Sequence, residues 1–85
     1  MKKKYEQLID RTRSAANEKN AYAFLPTIAN TLESLFKSKD ASKETRERMA
    51  RGLDRLVTDN YEFSESELGI VLLDFANDFV DGNLQ

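Results

Sequence analysis

The chain has 85 residues, 40% of them apolar, with 13 basic and 15 acidic side chains and a net charge of -2. That is one small domain, with too much apolar content for intrinsic disorder at so low a net charge. Histidine and cysteine are both missing, which excludes disulfides, thiolate metal sites and catalytic triads of the usual kind.

Three glycines, one proline and 33% charged residues favour a few long helices over many short strands. The lysines at the start are followed by no apolar stretch, so they do not read as a signal peptide. The run Ile70-Val71-Leu72-Leu73 is far below the roughly 20 residues that span a bilayer. These features predict a soluble cytoplasmic protein.

Four helical segments follow in chain order. The first, from about Lys3 to Glu18, carries a thin stripe of Tyr5, Leu8, Ile9, Thr12 and Ala16 at helical spacing. The second, from about Ala21 to Lys37, has Asn20 as its candidate N-cap. Pro26 either opens its regular part, with Tyr22 to Leu25 as a preceding turn, or kinks a longer helix. Ile28, Ala29, Leu32, Leu35 and Phe36 form its stripe. After the polar linker from Ser38 to Ser42, Asp40 or Ser42 caps a third helix ending near Thr58. Its core face is read as Met49, Leu53, Leu56 and Val57, with Thr45 and Gly52 on the same side. Gly52 marks either a close helix approach or a weakened helix.

The fourth helix has the clearest local signal. Ser64-Glu65-Ser66-Glu67 matches a capping box, with Phe63 and Leu68 at the two staple positions. Leu68, Val71, Leu72, Phe75, Ala76 and Phe79 define its main face, widened by Leu73 and Val80. The helix ends near Val80 or Asp81, with Gly82 as the left-handed cap. Such a wide apolar arc places it centrally. Ile70 falls on the opposite side, among Asp74, Asn77, Asp78 and Asp81, and is predicted to be exposed. Short connections favour antiparallel neighbours, so the predicted fold is an all-α antiparallel up-down four-helix bundle.

Charge is segregated along the chain. Every Lys and Arg lies within residues 1–55, whereas residues 61–85 hold six acids and no base. The two halves either face each other in the fold or present two surfaces to two partners. Asp74, Asp78 and Asp81 share a helix face by their spacing. Carboxylate clusters of this kind bind hard cations, but helical metal sites draw ligands from several helices. A solvated face is the plainer reading and a docking surface the next. Arg48, Arg51 and Arg55, flanked by Lys43 and Arg46, share a face of the third helix, as a recognition helix in a DNA groove would have it. The interleaved Glu44, Glu47 and Asp54 and the net negative charge weigh against nucleic acid, and arginine is also favoured at protein interfaces. The aromatics read as core, with Tyr22 and Tyr61 near helix ends as anchors for loops or a partner. No phosphate loop, nucleophile elbow or nucleotide fingerprint is present.

The layout resembles the immunity proteins of pediocin-like bacteriocins. The resemblance spans roughly residues 5–82 and rests on a Lys-rich start with Tyr5-Glu6-Gln7-Leu8-Ile9, a stripe ending in Leu32-Glu33-Ser34-Leu35-Phe36-Lys37, a polar linker, a third helix, and Tyr61-Glu62-Phe63-Ser64 before a last core helix. It implies an antiparallel four-helix bundle in the producer's cytoplasm. Proteins of that family protect the cell once the bacteriocin has engaged its receptor, the membrane components of the mannose phosphotransferase system. Recognition is associated with the C-terminal part, here the fourth helix and the tail from Gly82 to Gln85.

The sequence is therefore read as a non-enzymatic protein-binding module, monomeric or homodimeric, with no cofactor. Its candidate contact residues are Ile70, Asp74, Asn77, Asp78, Asp81, Arg48, Arg51 and Arg55. A small acidic-faced regulator or inhibitor of a basic protein, antitoxin-like or phage-encoded, is the alternative. A helical nucleic-acid-binding domain is the third reading.

Overall fold

The structure, a computed structural model, describes residues 4–82. The expected helix start at Lys3 and the tail from Asn83 onward lie outside them. The described chain is all-helical: α1 (Lys4–Ala16), α2 (Leu25–Lys37), α3 (Lys43–Thr58), α4 (Tyr61–Ser64) and α5 (Glu67–Asp81). The short α4 is a fifth helix where the sequence predicts four.

Two helix pairs carry most of the packing, α1 with α2 and α3 with α5. In the first pair Tyr5, at the start of α1, stacks on Phe36, at the end of α2, with ring centroids 4.3 Å apart. Arg13, late in α1, meets Glu33 and Asn30 of α2. The two helices therefore run in opposite directions. Lys39 closes this end, its Nζ 5.0 Å from the Phe36 ring and 5.7 Å from that of Tyr5, a cation over aromatic faces. In the second pair the first turn of α3 reaches the C-cap of α5: Arg46 lies beside Gly82. These helices are antiparallel too.

The core between the pairs is apolar side chains at helical spacing: Tyr5, Leu8, Leu25, Ile28, Leu32, Leu35, Leu53, Val57, Leu72, Phe75 and Phe79, all buried. Burying each of the larger side chains contributes about 1.5–3 kcal/mol. The stripes of α1 and α2 match the sequence reading. Thr12 is the one buried polar residue among those described. Its hydroxyl donates to the Leu8 carbonyl at 2.9 Å, which satisfies it within its own helix.

Pro26 opens α2. The helix begins at Leu25, with Phe24 as N-cap and no side-chain cap, so the predicted cap at Asn20 is wrong. A helix running on toward Asn20 would have lost the amide at Pro26 and pressed its ring on the Tyr22 carbonyl. Instead the Leu25 amide closes a turn onto that carbonyl at 3.2 Å. Rings hold the turn: Tyr22, Phe24 and Phe63 of α4 pack with centroids 5.0–5.3 Å apart.

Ser42 caps α3, accepting from the Thr45 amide. Thr45 and Gly52 do not belong to the core face; both are exposed. The Thr45 hydroxyl is engaged with Ser42 at 3.1 Å. Space beside Gly52 is open, so no close helix approach explains it. Ala50 is buried instead.

The capping box at Ser64 is also corrected. Asn60 caps α4 by accepting from the Phe63 amide at 2.9 Å, and this turn drives Phe63 into the core. Helix α5 starts later, capped by Ser66, whose Oγ accepts from the Gly69 amide at 3.1 Å and donates to the Phe63 carbonyl at 2.5 Å. Phe63 and Leu68 both pack on the core, although they no longer occupy staple positions. Gly69 is buried because α5 runs directly over the α4 backbone: a Cβ there would collide with the Phe63 carbonyl. Gly82 ends α5 with φ 77°, the left-handed cap expected of it.

Candidate functional site

The exposed faces of α3 and α5 hold the residues singled out in the sequence. On α5, Asp74, Asn77 and Asp81 are exposed and Asp78 is half-buried. Ile70 is 51% exposed among them. Its exposure follows from α5's geometry, since Leu72, Phe75, Ala76 and Phe79 take the opposite face into the core. On α3, Arg48, Arg51 and Arg55 are all exposed. Arg48 has a loose contact with Glu44 at 3.7 Å, worth little at such exposure.

Because α3 and α5 are antiparallel, the two rows run at matching heights. A shallow cleft between them is lined by Glu47, Ala50, Arg51 and Asp54 from α3 and by Ala76, Asn77 and Val80 from α5. Arg51 and Asn77 are therefore neighbours across the cleft. Arg48 lies level with Asp81, and Arg55 with Asp74. No ion pair joins Arg48, Arg51 or Arg55 to Asp74 or Asp81 among the described residues. Asp54, half-buried beside the cleft, has its carboxyl held above the ordinary range by burial, because loss of solvent disfavours the charged form.

The basic and acidic parts of the chain meet at two places in particular. Arg11 and Glu67 pair at 2.8 Å between α1 and α5. Arg46 reaches the carbonyl end of α5, which has no base of its own in its last turn, and there a cation opposes the negative end of the helix dipole. The Arg46 Nε is buried with no hydrogen-bond partner among the described residues. The remaining arginines of α3 face outward, so the segregated charges form surfaces more than they cancel.

A second feature escaped the sequence reading. An open cleft of about 480 Å³ between α1 and α2 is lined by Glu6, Ile9, Asp10, Glu33, Phe36 and Lys37. The i, i+4 spacing of Glu6 and Asp10 beside Ile9 signalled an acidic flank to that helix, but only the pairing with α2 brings Glu33 and Phe36 to it. At the opposite end of the pair, the Tyr22 hydroxyl donates to Glu62 Oε1 at 3.3 Å. Partial burial, and then the neighbouring Glu62 carboxylate, raise this hydroxyl above its ordinary value. Tyr61, 74% exposed at the start of α4, anchors no loop by its ring; Tyr22 does.

Among the described residues no three acidic side chains group closely enough to hold a metal ion, and no helix is long and apolar enough to cross a membrane. Comparisons with protein-family models, with curated proteins and with solved structures find no match to this chain.

Proposed function

We propose that the chain is a non-catalytic protein-binding module that docks its partner on the outward face of α5. One observation carries this reading: Ile70 is 51% exposed on a face otherwise made of Asp74, Asn77 and Asp81. A single exposed apolar residue is ordinary, but one set among carboxylates at helical spacing supplies an anchor within a charge-selective rim. The four long helices are taken as an antiparallel up-down four-helix bundle that holds this face rigid.

The specific form we favour is bacteriocin immunity in the cytoplasm of a producer cell, acting at a bacteriocin-receptor complex of mannose phosphotransferase components. It rests on the resemblance set out above, and α5 is the helix to which that resemblance assigns recognition. Expression in a strain sensitive to pediocin-like bacteriocins, followed by challenge with a panel of them, tests it. Survival against one member is the expected result, and killing by every member overturns the immunity reading. With Asp74→Asn and Asp78→Asn combined, protection should fall; full retention removes the acidic face from the site.

The same face favours a second reading, a small regulator or inhibitor that occupies a basic surface on its target. Residues 61–82 contain six carboxylates and no base, which suits a cationic partner. A stable complex with a basic protein, in a chain that gives no protection, distinguishes it. The acids interleaved with Arg48, Arg51 and Arg55 count against nucleic acid, and absence of duplex binding at low salt would dismiss that class.

A further inference from the structure

We propose that the α3–α5 face binds a second copy of this chain, forming a two-fold dimer held by the two charge rows. The dimer uses the α5 face that the protein-binding reading gives to a partner, so dimer and partner complex exclude each other; the dimer stands whether or not the chain protects a cell.

The rows are complementary in spacing as well as sign. Arg48, Arg51 and Arg55 are separated by three and then four residues. Arg48 and Arg55 are thus seven apart, as are Asp81 and Asp74 read in the opposite direction along α5; Asp78, half-buried and already engaged, takes no part. The packing of Arg46 beside Gly82, and of Ala50 and Arg51 across from Ala76 and Asn77, sets the two rows at the same heights along the pair. A two-fold axis parallel to the helices and lying over the cleft preserves height and exchanges the helices. It brings α3 of each copy over α5 of the other. Arg55 then faces Asp74 of the second copy, Arg48 faces Asp81 and Arg51 faces Asn77, each contact occurring twice, as an isologous interface requires.

Within one chain the rows diverge from the cleft. No described ion pair joins Arg51 or Arg55 to Asp74 or Asp81, so these charges are available to a second molecule. The floor between them includes Ala50, Ala76 and the half-buried Val80, with Glu47 and Asp54 of α3 also lining it. The contact is mainly electrostatic, so it is sensitive to salt: the screening length falls from roughly 10 Å at 0.1 M to roughly 3 Å at 1 M.

Sedimentation velocity of the full chain tests the proposal. The wild-type chain should sediment as a dimer at low ionic strength. Its dissociation constant should rise by about tenfold or more as salt approaches 1 M. A chain carrying Arg48→Glu and Arg55→Glu should be monomeric, and so should one carrying Asp74→Lys and Asp81→Lys. All four positions are exposed, and circular dichroism verifies that each variant folds. Mixed in equal amounts, the two variants should restore the dimer mass, because each then meets its opposite charge at both contacts. A wild-type monomer at low salt and high concentration overturns the proposal. So does a dimer that both charge reversals leave intact, or a mixture of folded variants that remains monomeric. If either variant fails to fold, the salt dependence of the wild-type mass decides alone.

Discussion

Gly52 and Gly69 are both helical, yet a methyl group added at each has opposite effects. At Gly52 the space is open and the backbone is ordinary α-helix, so Gly52→Ala should stabilise the chain by about 0.5–1 kcal/mol through helix propensity. At Gly69 the new Cβ meets the Phe63 carbonyl, part of a backbone fixed by its own helix and by the Ser66 hydroxyl. Gly69→Ala should therefore destabilise by about 1–3 kcal/mol. Urea midpoints of the two variants check both signs. Asp54 gives a pH-dependent counterpart. Its folded carboxyl titrates above the ordinary value of 3.8, so the neutral form is favoured in the fold. The penalty for its charge is absent below the unfolded value and complete once pH has risen through the folded one. Asp54→Asn should raise the melting temperature at pH 7, and the gain should vanish near pH 3.

At the scale of elements, the joint between α3 and α5 decides how α5 begins. Local signals favour Ser64, because Glu67 completes a capping box that Gly69 cannot supply to Ser66. Burial of Phe63 against Tyr22 and Phe24 makes the choice. It gives residues 61–64 to a separate turn, leaves Ser66 as the cap and frees Glu67 to pair with Arg11. Ser66→Ala should thus cost about 1 kcal/mol, whereas Ser64→Ala should stay within about 0.5 kcal/mol. Thermal unfolding of the pair distinguishes the two caps, and a larger loss at Ser64 would contradict this account. The stripes of α2 and α5, the cap at Gly82 and the exposure of Ile70 were legible because they depend on local spacing alone. So was Pro26 as the opening of α2 after a turn from Tyr22 to Leu25, one of the two starts its ring allows; the open space beside Gly52 and the existence of α4 were not, because each is set by neighbours distant in sequence.

At the scale of the whole molecule, charge segregation along the chain becomes segregation on the surface. The sequence left open whether the basic and acidic parts would neutralise each other. Arg11–Glu67 and Arg46 at the end of α5 join them locally, while among the described residues no ion pair joins Arg51 and Arg55 of α3 to Asp74 and Asp81 of α5. Their individual positions were readable from helical spacing. Their common height was not, since it depends on α3 and α5 being antiparallel partners. The α1–α2 cleft was hidden for the same reason.

The central claim is that the outward face of α5 does the protein's work by binding. The most direct test is challenge of sensitive cells expressing either the wild-type chain or Ile70→Asp, with the melting temperature of each protein measured alongside. The account predicts protection by the wild-type chain against at least one pediocin-like bacteriocin, lost in Ile70→Asp without loss of thermal stability. Equal protection by both chains would contradict the role of this face, and protection by neither would contradict the immunity reading itself.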